Sequence, residues 1–272
     1  EMKIFKDKQS LQKELFKEKN VSFIPTMGAL HKGHLSLIKK SLKYKRKILI
    51  SIFVNPKQFN KRDDYKNYPR NINKDINKLN KFNIDYLYIP SPKDIYGFKT
   101  KKKIFLDRFE RKLCGKYRKG HFNGVVNVIN RFLEIIKPKY IFLGLKDFQQ
   151  LYLIKKHILK RKIKTKVVEC KTIREKNGIA FSSRNLHLNS KQIKVALNIN
   201  KFILKLKNKL RNGKVFPKKK ILKKIMLNLG ASKVDYVEGL NIKSLKLKAF
   251  TKKHFKIFIA YYIKKIRLID NI

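Results

Sequence analysis

Short, uninterrupted apolar runs alternate with longer segments of helical period along the first two-thirds of this chain. Val21–Pro25, Ile48–Val54, Ile84–Pro90 and Tyr140–Leu143 read as buried strands. Between them, Gly33–Leu42, Lys74–Lys81, Gly124–Ile136 and Phe148–Leu159 repeat apolar residues every three to four positions and read as helices. The clearest case is Val125, Val126, Val128, Ile129, Phe132, Leu133 and Ile136, which form one face of a helix. Strands alternating with helices predict an α/β fold with a doubly wound parallel sheet. Ligands then bind at the carboxyl ends of the strands. Pro25 and Asn55-Pro56 fall where two strands should end, so the segments after them should face one crevice. After about Thr172 the pattern changes. Lys191–Leu210 and Lys218–Leu229 read as long lysine-rich helices, and Val234–Leu240 and Phe255–Tyr262 as strands. The expected organisation is a large domain over 1–173 and a smaller C-terminal α+β domain over 174–272, joined through Arg174–Asn185.

Composition narrows the class. With 272 residues and 43% hydrophobic content, the chain can bury a sizeable core. It lacks an apolar run of about 18 residues, so no transmembrane helix is expected. Its first residues lack the apolar stretch of a signal peptide. Cys114 and Cys170 lie far apart without histidine or cysteine neighbours, which disfavours a zinc site or a disulfide framework and points to a reducing cytoplasm. Charge is the outlying quantity: 70 Lys+Arg against 18 Asp+Glu, or +52. A nucleic-acid binder concentrates its cations on one face. Here lysine is spread from Lys3 to Lys265 alongside abundant Asn, Ile, Phe and Tyr, the mixture A/T-rich codons produce. No specific nucleic-acid partner is expected, although the field should favour anionic ligands.

Candidate chemistry sits in five short blocks. Pro25-Thr26-Met27-Gly28-Ala29-Leu30-His31-Lys32-Gly33-His34 joins a strand to a helix start, where free N–H groups and the macrodipole attract phosphate. His31 and His34 share one face of the first turn and, as imidazolium, could neutralise charge on a polyphosphate. Asn55 and Gln58, at the end of a buried strand, suit the hydroxyls of a polar substrate, or else make an Asn-Pro turn with a surface Gln. In Gly144-Leu145-Lys146-Asp147, the lysine suits phosphate and the aspartate ribose hydroxyls, and Gln150 lies one turn on. A plain Asp N-cap with a solvated lysine competes. Asn177-Gly178 signals a hairpin turn, and Phe181-Ser182-Ser183-Arg184 groups two hydroxyls with a guanidinium. Gly120-His121-Phe122-Asn123-Gly124 reads equally as an anion site at a helix start or as a loop with an N-cap.

In this order, with Tyr68-Pro69-Arg70 and the closing Arg267-Leu268-Ile269-Asp270-Asn271, the blocks closely resemble the pantoate–β-alanine ligase family, among the H-x-G-H nucleotidyltransferases. The resemblance spans nearly the whole chain. It implies a Rossmann-like fold in a cytoplasmic homodimer that condenses pantoate with β-alanine through a pantoyl adenylate, using ATP and Mg²⁺. It also implies roles. Met27, Gly28, Ala29, Leu30, His31, Lys32, Gly33 and His34 would line the ATP site, with His34 as proton donor. Gly144, Leu145, Lys146 and Asp147 would contact ATP, Ile173 would meet adenine through its backbone, and Phe181, Ser182, Ser183 and Arg184 would close over the triphosphate. Gln58 and Gln150 would hold pantoate with support from Asn55, and Asp75 matches an acidic position linked to Mg²⁺. A lid between Lys57 and Tyr68, or the small domain itself, would enclose the intermediate. The chain departs from the family pattern at Lys32, Lys74, Lys119, Leu145, Asn177 and Phe181. Lys74 replaces an acid beside Asp75, which weakens the metal assignment. An aminoacyl-tRNA synthetase is the competing H-x-G-H enzyme, but Phe181-Ser182-Ser183-Arg184 stands where its lysine-centred loop would be.

Overall fold

The computed structural model describes residues 1–18, 20–245 and 254–272. The chain divides into two units, Glu1–Thr172 and Ile173–Ile272. Ile173, expected to close the first domain, instead opens the second unit.

The first unit is built on six parallel strands: β1 (Lys3–Phe5), β2 (Ser22–Thr26), β3 (Ile48–Ile52), β4 (Tyr86–Tyr88), β5 (Tyr140–Gly144) and β6 (Lys166–Cys170), in the order β1-β4-β3-β2-β5-β6. Its longer helices are α1 (Lys8–Leu15), α2 (Lys32–Leu42), α4 (Ile72–Leu79), α7 (His121–Ile136) and α8 (Phe148–Lys160). The short pieces α3 (Arg62–Lys66), α5 (Pro92–Tyr96) and α6 (Leu113–Tyr117) fill the connections. Adjacent strand residues serve opposite faces. Phe23, Leu49, Tyr86, Tyr88, Ile141 and Leu143 pack with α1, α7 and α8, whereas Ile24, Ile50, Leu87 and Phe142 pack with Ile38 of α2 and Leu79 of α4. Both faces are covered, which is why these strands read as continuous apolar runs.

Strand order reverses between β2 and β5, the place where such sheets open a crevice. The ladder there is short. β2 pairs with β3 from Ser22 to Thr26, but with β5 only through Ser22 and Phe23. Pro25, which has no N–H to donate, lies just beyond the last paired residue.

The second unit packs α9 (Ser190–Arg211) and α10 (Lys219–Asn228) on an antiparallel sheet of β7 (Lys233–Asn241), β8 (Phe255–Ile263) and β9 (Ile266–Asn271). Ile199, Ile203, Leu206 and Leu210 of α9 join Leu222 and Met226 of α10 over Val237, Ile257 and Ile259. Arg267 and Asp235 form a buried ion pair across this sheet at 2.8 Å. An antiparallel α+β unit is the expected class.

Candidate active site

The turn from β2 into α2 is held from within and from without. His31 is the N-cap of α2. Its Nδ1 accepts from the Gly33 N–H at 3.1 Å, while His34 Nδ1 accepts from the His31 N–H at 3.3 Å. This is a capping box built from two imidazoles, which sets the three-residue spacing and stacks the rings with centroids 4.1 Å apart. With both Nδ1 atoms accepting, each neutral ring carries its proton on Nε2. Burial, the Lys146 charge and then Lys78 push His31 down to about 4, with Asp147 opposing. His34 is held well below the ordinary histidine range, first by burial and then by His31, Lys146 and Lys78. In the ligand-free protein both rings are therefore uncharged N–H donors at neutral pH, and the positive charge beside them comes from lysines.

Asp75 is the external clamp. Its Oδ2 accepts from the Ala29 N–H and its Oδ1 from the Leu30 N–H, each at 2.8 Å. Gly28 and Ala29 both have positive φ, at 77° and 50°, and a Cβ on Gly28 would lie 3.0 Å from Asp75 Oδ2. The left-handed turn and the buried carboxylate thus fit each other closely. With each oxygen accepting from a backbone amide and 2% of the residue exposed, Asp75 holds the turn in shape, a role the sequence did not suggest beside the expected metal one. Among the described residues no three His, Cys, Asp or Glu side chains gather as a metal site.

After β5, Lys146 lies 3.6 Å from Asp147 and is largely shielded from solvent, while its charge reaches both imidazoles. Asp147 stands at the start of α8 but makes no side-chain cap bond, so the plain N-cap reading fails. Gln150 is half-buried on the first turn of α8, and its amide makes no hydrogen bond among the described residues. Its neighbour Gln149 is buried and spent on structure, accepting from the Cys114 N–H and donating to the carbonyls of Phe109 and Lys112.

The Asn55-Pro56-Lys57-Gln58 segment is neither a bare turn nor a surface glutamine. Asn55 Oδ1 accepts from Lys57 N–H and from Tyr96 Oη at 2.7 Å, and Nδ2 donates to Gln58 Oε1 and the Gly124 carbonyl at 3.1 Å. Asn55, expected among the substrate-binding residues, is 1% exposed and fully engaged, so it shapes the pocket wall instead. Gln58 Nε2 donates to Met27 Sδ at 2.9 Å, which ties this wall to the β2–α2 turn. The Gly120–Gly124 block proves to be a socket. His121 Nδ1 lies 2.7 Å from the Gln58 carbonyl, and a Cβ on Gly124 would sit 2.2 Å from the Lys57 carbonyl. The sequence did not reveal Tyr96, His121 or Gly124 as supports of Gln58. Only the glycine spacing hinted at a close backbone approach. The expected lid segment after Lys57 carries α3 and an edge-on cluster of Phe59 with Tyr65 and Tyr68.

The remaining expected residues lie in the second unit. Phe181 N–H donates to the Ile173 carbonyl, and Arg174 bridges to Ala180 around the Asn177-Gly178 turn. Ser182 Oγ caps the 3-10 turn of Ser183–His187, Ser183 is buried, and Arg184 Nη1 donates to the Arg267 carbonyl. The structure therefore brings together Met27–His34, Asn55, Gln58 and Lys146–Asp147 in one unit, and Ile173 and Phe181–Arg184 in the other.

Comparison with known proteins identifies the family. The family model described as pantoate-beta-alanine ligase matches residues 3–272. Pantothenate synthetases from Pseudothermotoga lettingae and Flavobacterium psychrophilum are 37% and 40% identical, covering 95% and 94% of this chain and 93% and 92% of their own. The pantoate-beta-alanine ligase of Francisella tularensis, solved with beta-gamma ATP and beta-alanine, superposes with a TM-score of 0.86 at 36% identity, covering 100% of this chain and 97% of its own. The Thermus thermophilus enzyme superposes at 0.90 with 28% identity, covering 100% and 99%. The chain belongs to the pantoate–β-alanine ligase family.

Proposed function

We propose how this chain, an ATP-dependent ligase of pantoate and β-alanine, divides the work among its residues. A pantoate carboxylate oxygen attacks the α-phosphorus of ATP, forming the acyl–phosphate bond and expelling pyrophosphate. The β-alanine amine then attacks the acyl carbon, the amide bond forms and AMP leaves. Neither step needs a covalent bond to the protein, so the side chains position the reactants and stabilise charge.

His34 and His31 donate from Nε2 to phosphate oxygens, and Lys146 supplies fixed positive charge beside them. Asp147 is placed for ribose hydroxyls. Gln150 and the remaining N–H of Gln58 face pantoate, and Gln58 also helps to place β-alanine. Ser182, Ser183 and Arg184 supply the hydroxyls and guanidinium that the resemblance assigns to the triphosphate, with Ile173 assigned to adenine. Mg²⁺ would arrive with ATP on its phosphates, since the side chains do not form a cage for it. The family likeness supports a cytoplasmic homodimer. No helix among the described residues is long and apolar enough to cross a membrane.

One observation carries this reading: two neutral imidazoles and a shielded lysine converge where β2 and β5 part. AMP release from Mg·ATP, with each substrate omitted in turn, tests it. Sustained AMP production should require both pantoate and β-alanine. Its absence with all three substrates saturating would overturn the assignment.

A further inference from the structure

Helix α4 presents two charged side chains to the β2–α2 turn, one helical turn apart. Asp75 takes the Ala29 and Leu30 amides, and Lys78 Nζ donates to the Leu30 carbonyl at 2.5 Å. That bond uses one of the three ammonium N–H groups. The Lys78 charge also acts on both imidazoles of the turn. We propose that Lys78 is a phosphate-binding residue of this site, a second ammonium that faces the polyphosphate from α4 while Lys146 faces it from the end of β5.

The inference rests on the nucleotide reading of the site and adds a residue to it. Charge bookkeeping favours it. Asp147 lies beside Lys146, and the Asp75 carboxylate is occupied by two amides. Among the described residues no carboxylate forms an ion pair with Lys78, whose hydrogen bond is to the neutral Leu30 carbonyl. A lysine serving only to tie down the Leu30 carbonyl would be replaceable by any neutral donor. A phosphate ligand would not, because the ammonium supplies charge as well as a hydrogen bond.

The test is calorimetric titration of ATP into the full chain and into Lys78→Gln and Lys78→Arg, with and without Mg²⁺. Lys78→Gln should weaken ATP binding at least about tenfold, more without Mg²⁺, whereas Lys78→Arg should stay within about threefold of the parent. The KM for pantoate should stay within about twofold in both variants. Nitrogen-15 NMR of the imidazoles adds a readout independent of ATP: Lys78→Gln should raise the His31 titration from about 4. Parental ATP affinity in Lys78→Gln, or equal loss in both variants with a lowered melting temperature, would overturn the proposal in favour of a structural tie. A parent chain that fails to bind ATP would remove the nucleotide reading itself, and this inference with it.

Discussion

His31 and His34 each accept a backbone N–H with Nδ1, so both imidazoles shape the turn that is proposed to meet the phosphates. His34→Ala should lower turnover by roughly 10²–10⁴-fold, the range for a donor acting on the reacting group. Steady-state AMP release checks this, and a variant at parental rate would remove His34 from the chemistry. His31 should titrate near 4 in the free enzyme and higher with ATP bound, because phosphate charge favours the imidazolium. His157 is fully buried, with Nε2 3.0 Å from Asn130 Oδ1 and Nδ1 accepting from the Phe105 N–H. Burial, followed by Arg161, brings it down to about 4. Its ordinary value of 6.5 is that of the unfolded chain, so the unfolded state takes the proton first as pH falls. The stabilisation is complete above 6.5 and is lost on acidification from 6.5 towards about 4. The loss is about 3 kcal/mol for such a shift. Urea unfolding across this window should show it, and His157→Gln should flatten the slope.

At the scale of elements, the active-site turn depends on α4 and the Gln58 wall on α7. Asp75→Asn keeps the shape of the side chain but loses its charge and leaves an amide where an acceptor stood. It should cost about 1.5–3 kcal/mol and speed hydrogen exchange over residues 28–31, while the Mg²⁺ concentration for half-maximal activity stays unchanged. A large shift in that concentration would return Asp75 to the metal. Gly124→Ala would drive a methyl into the Lys57 carbonyl and should cost about 1–3 kcal/mol together with a raised KM for pantoate. These dependences also show what the sequence concealed. The buried strands and α2, α7 and α8 were legible because both faces of the sheet are covered and the helices keep a clear apolar stripe. The H-x-G-H segment was legible as a helix N-terminus, which the structure shows with His31 as the N-cap. The clamp by Asp75 was not, because its partners lie 45 and 46 residues away. β1 is three residues long, and β6 interleaves Lys166 and Glu169 with apolar residues at the sheet edge, so neither produced an apolar run. α7 begins at His121, three residues before the expected start at Gly124, after a left-handed Gly120.

At the scale of the molecule, a charge of +52 is not matched by internal pairing, since many of its ion pairs are exposed and worth little. Self-repulsion should therefore dominate the salt response. Added KCl should raise the melting temperature, with each ~1 kcal/mol of relieved repulsion worth roughly 2–4 °C at this chain length. A melting temperature that falls with salt would show that attractive pairs prevail. Duplex DNA should bind only at low salt and without sequence preference.

The short ladder between β2 and β5 bears on redesign of the enzyme. The opening at the carboxyl end of the sheet begins where the β2–β5 ladder stops at Phe23, two residues before Pro25, and so is set by main-chain pairing. Trimming or enlarging core residues would thus disturb stability before it altered the width of the opening. If pantoate binds as proposed, acceptance of a bulkier acid is to be sought at Gln150 and the Met27–Gln58 contact, where changes leave the sheet intact.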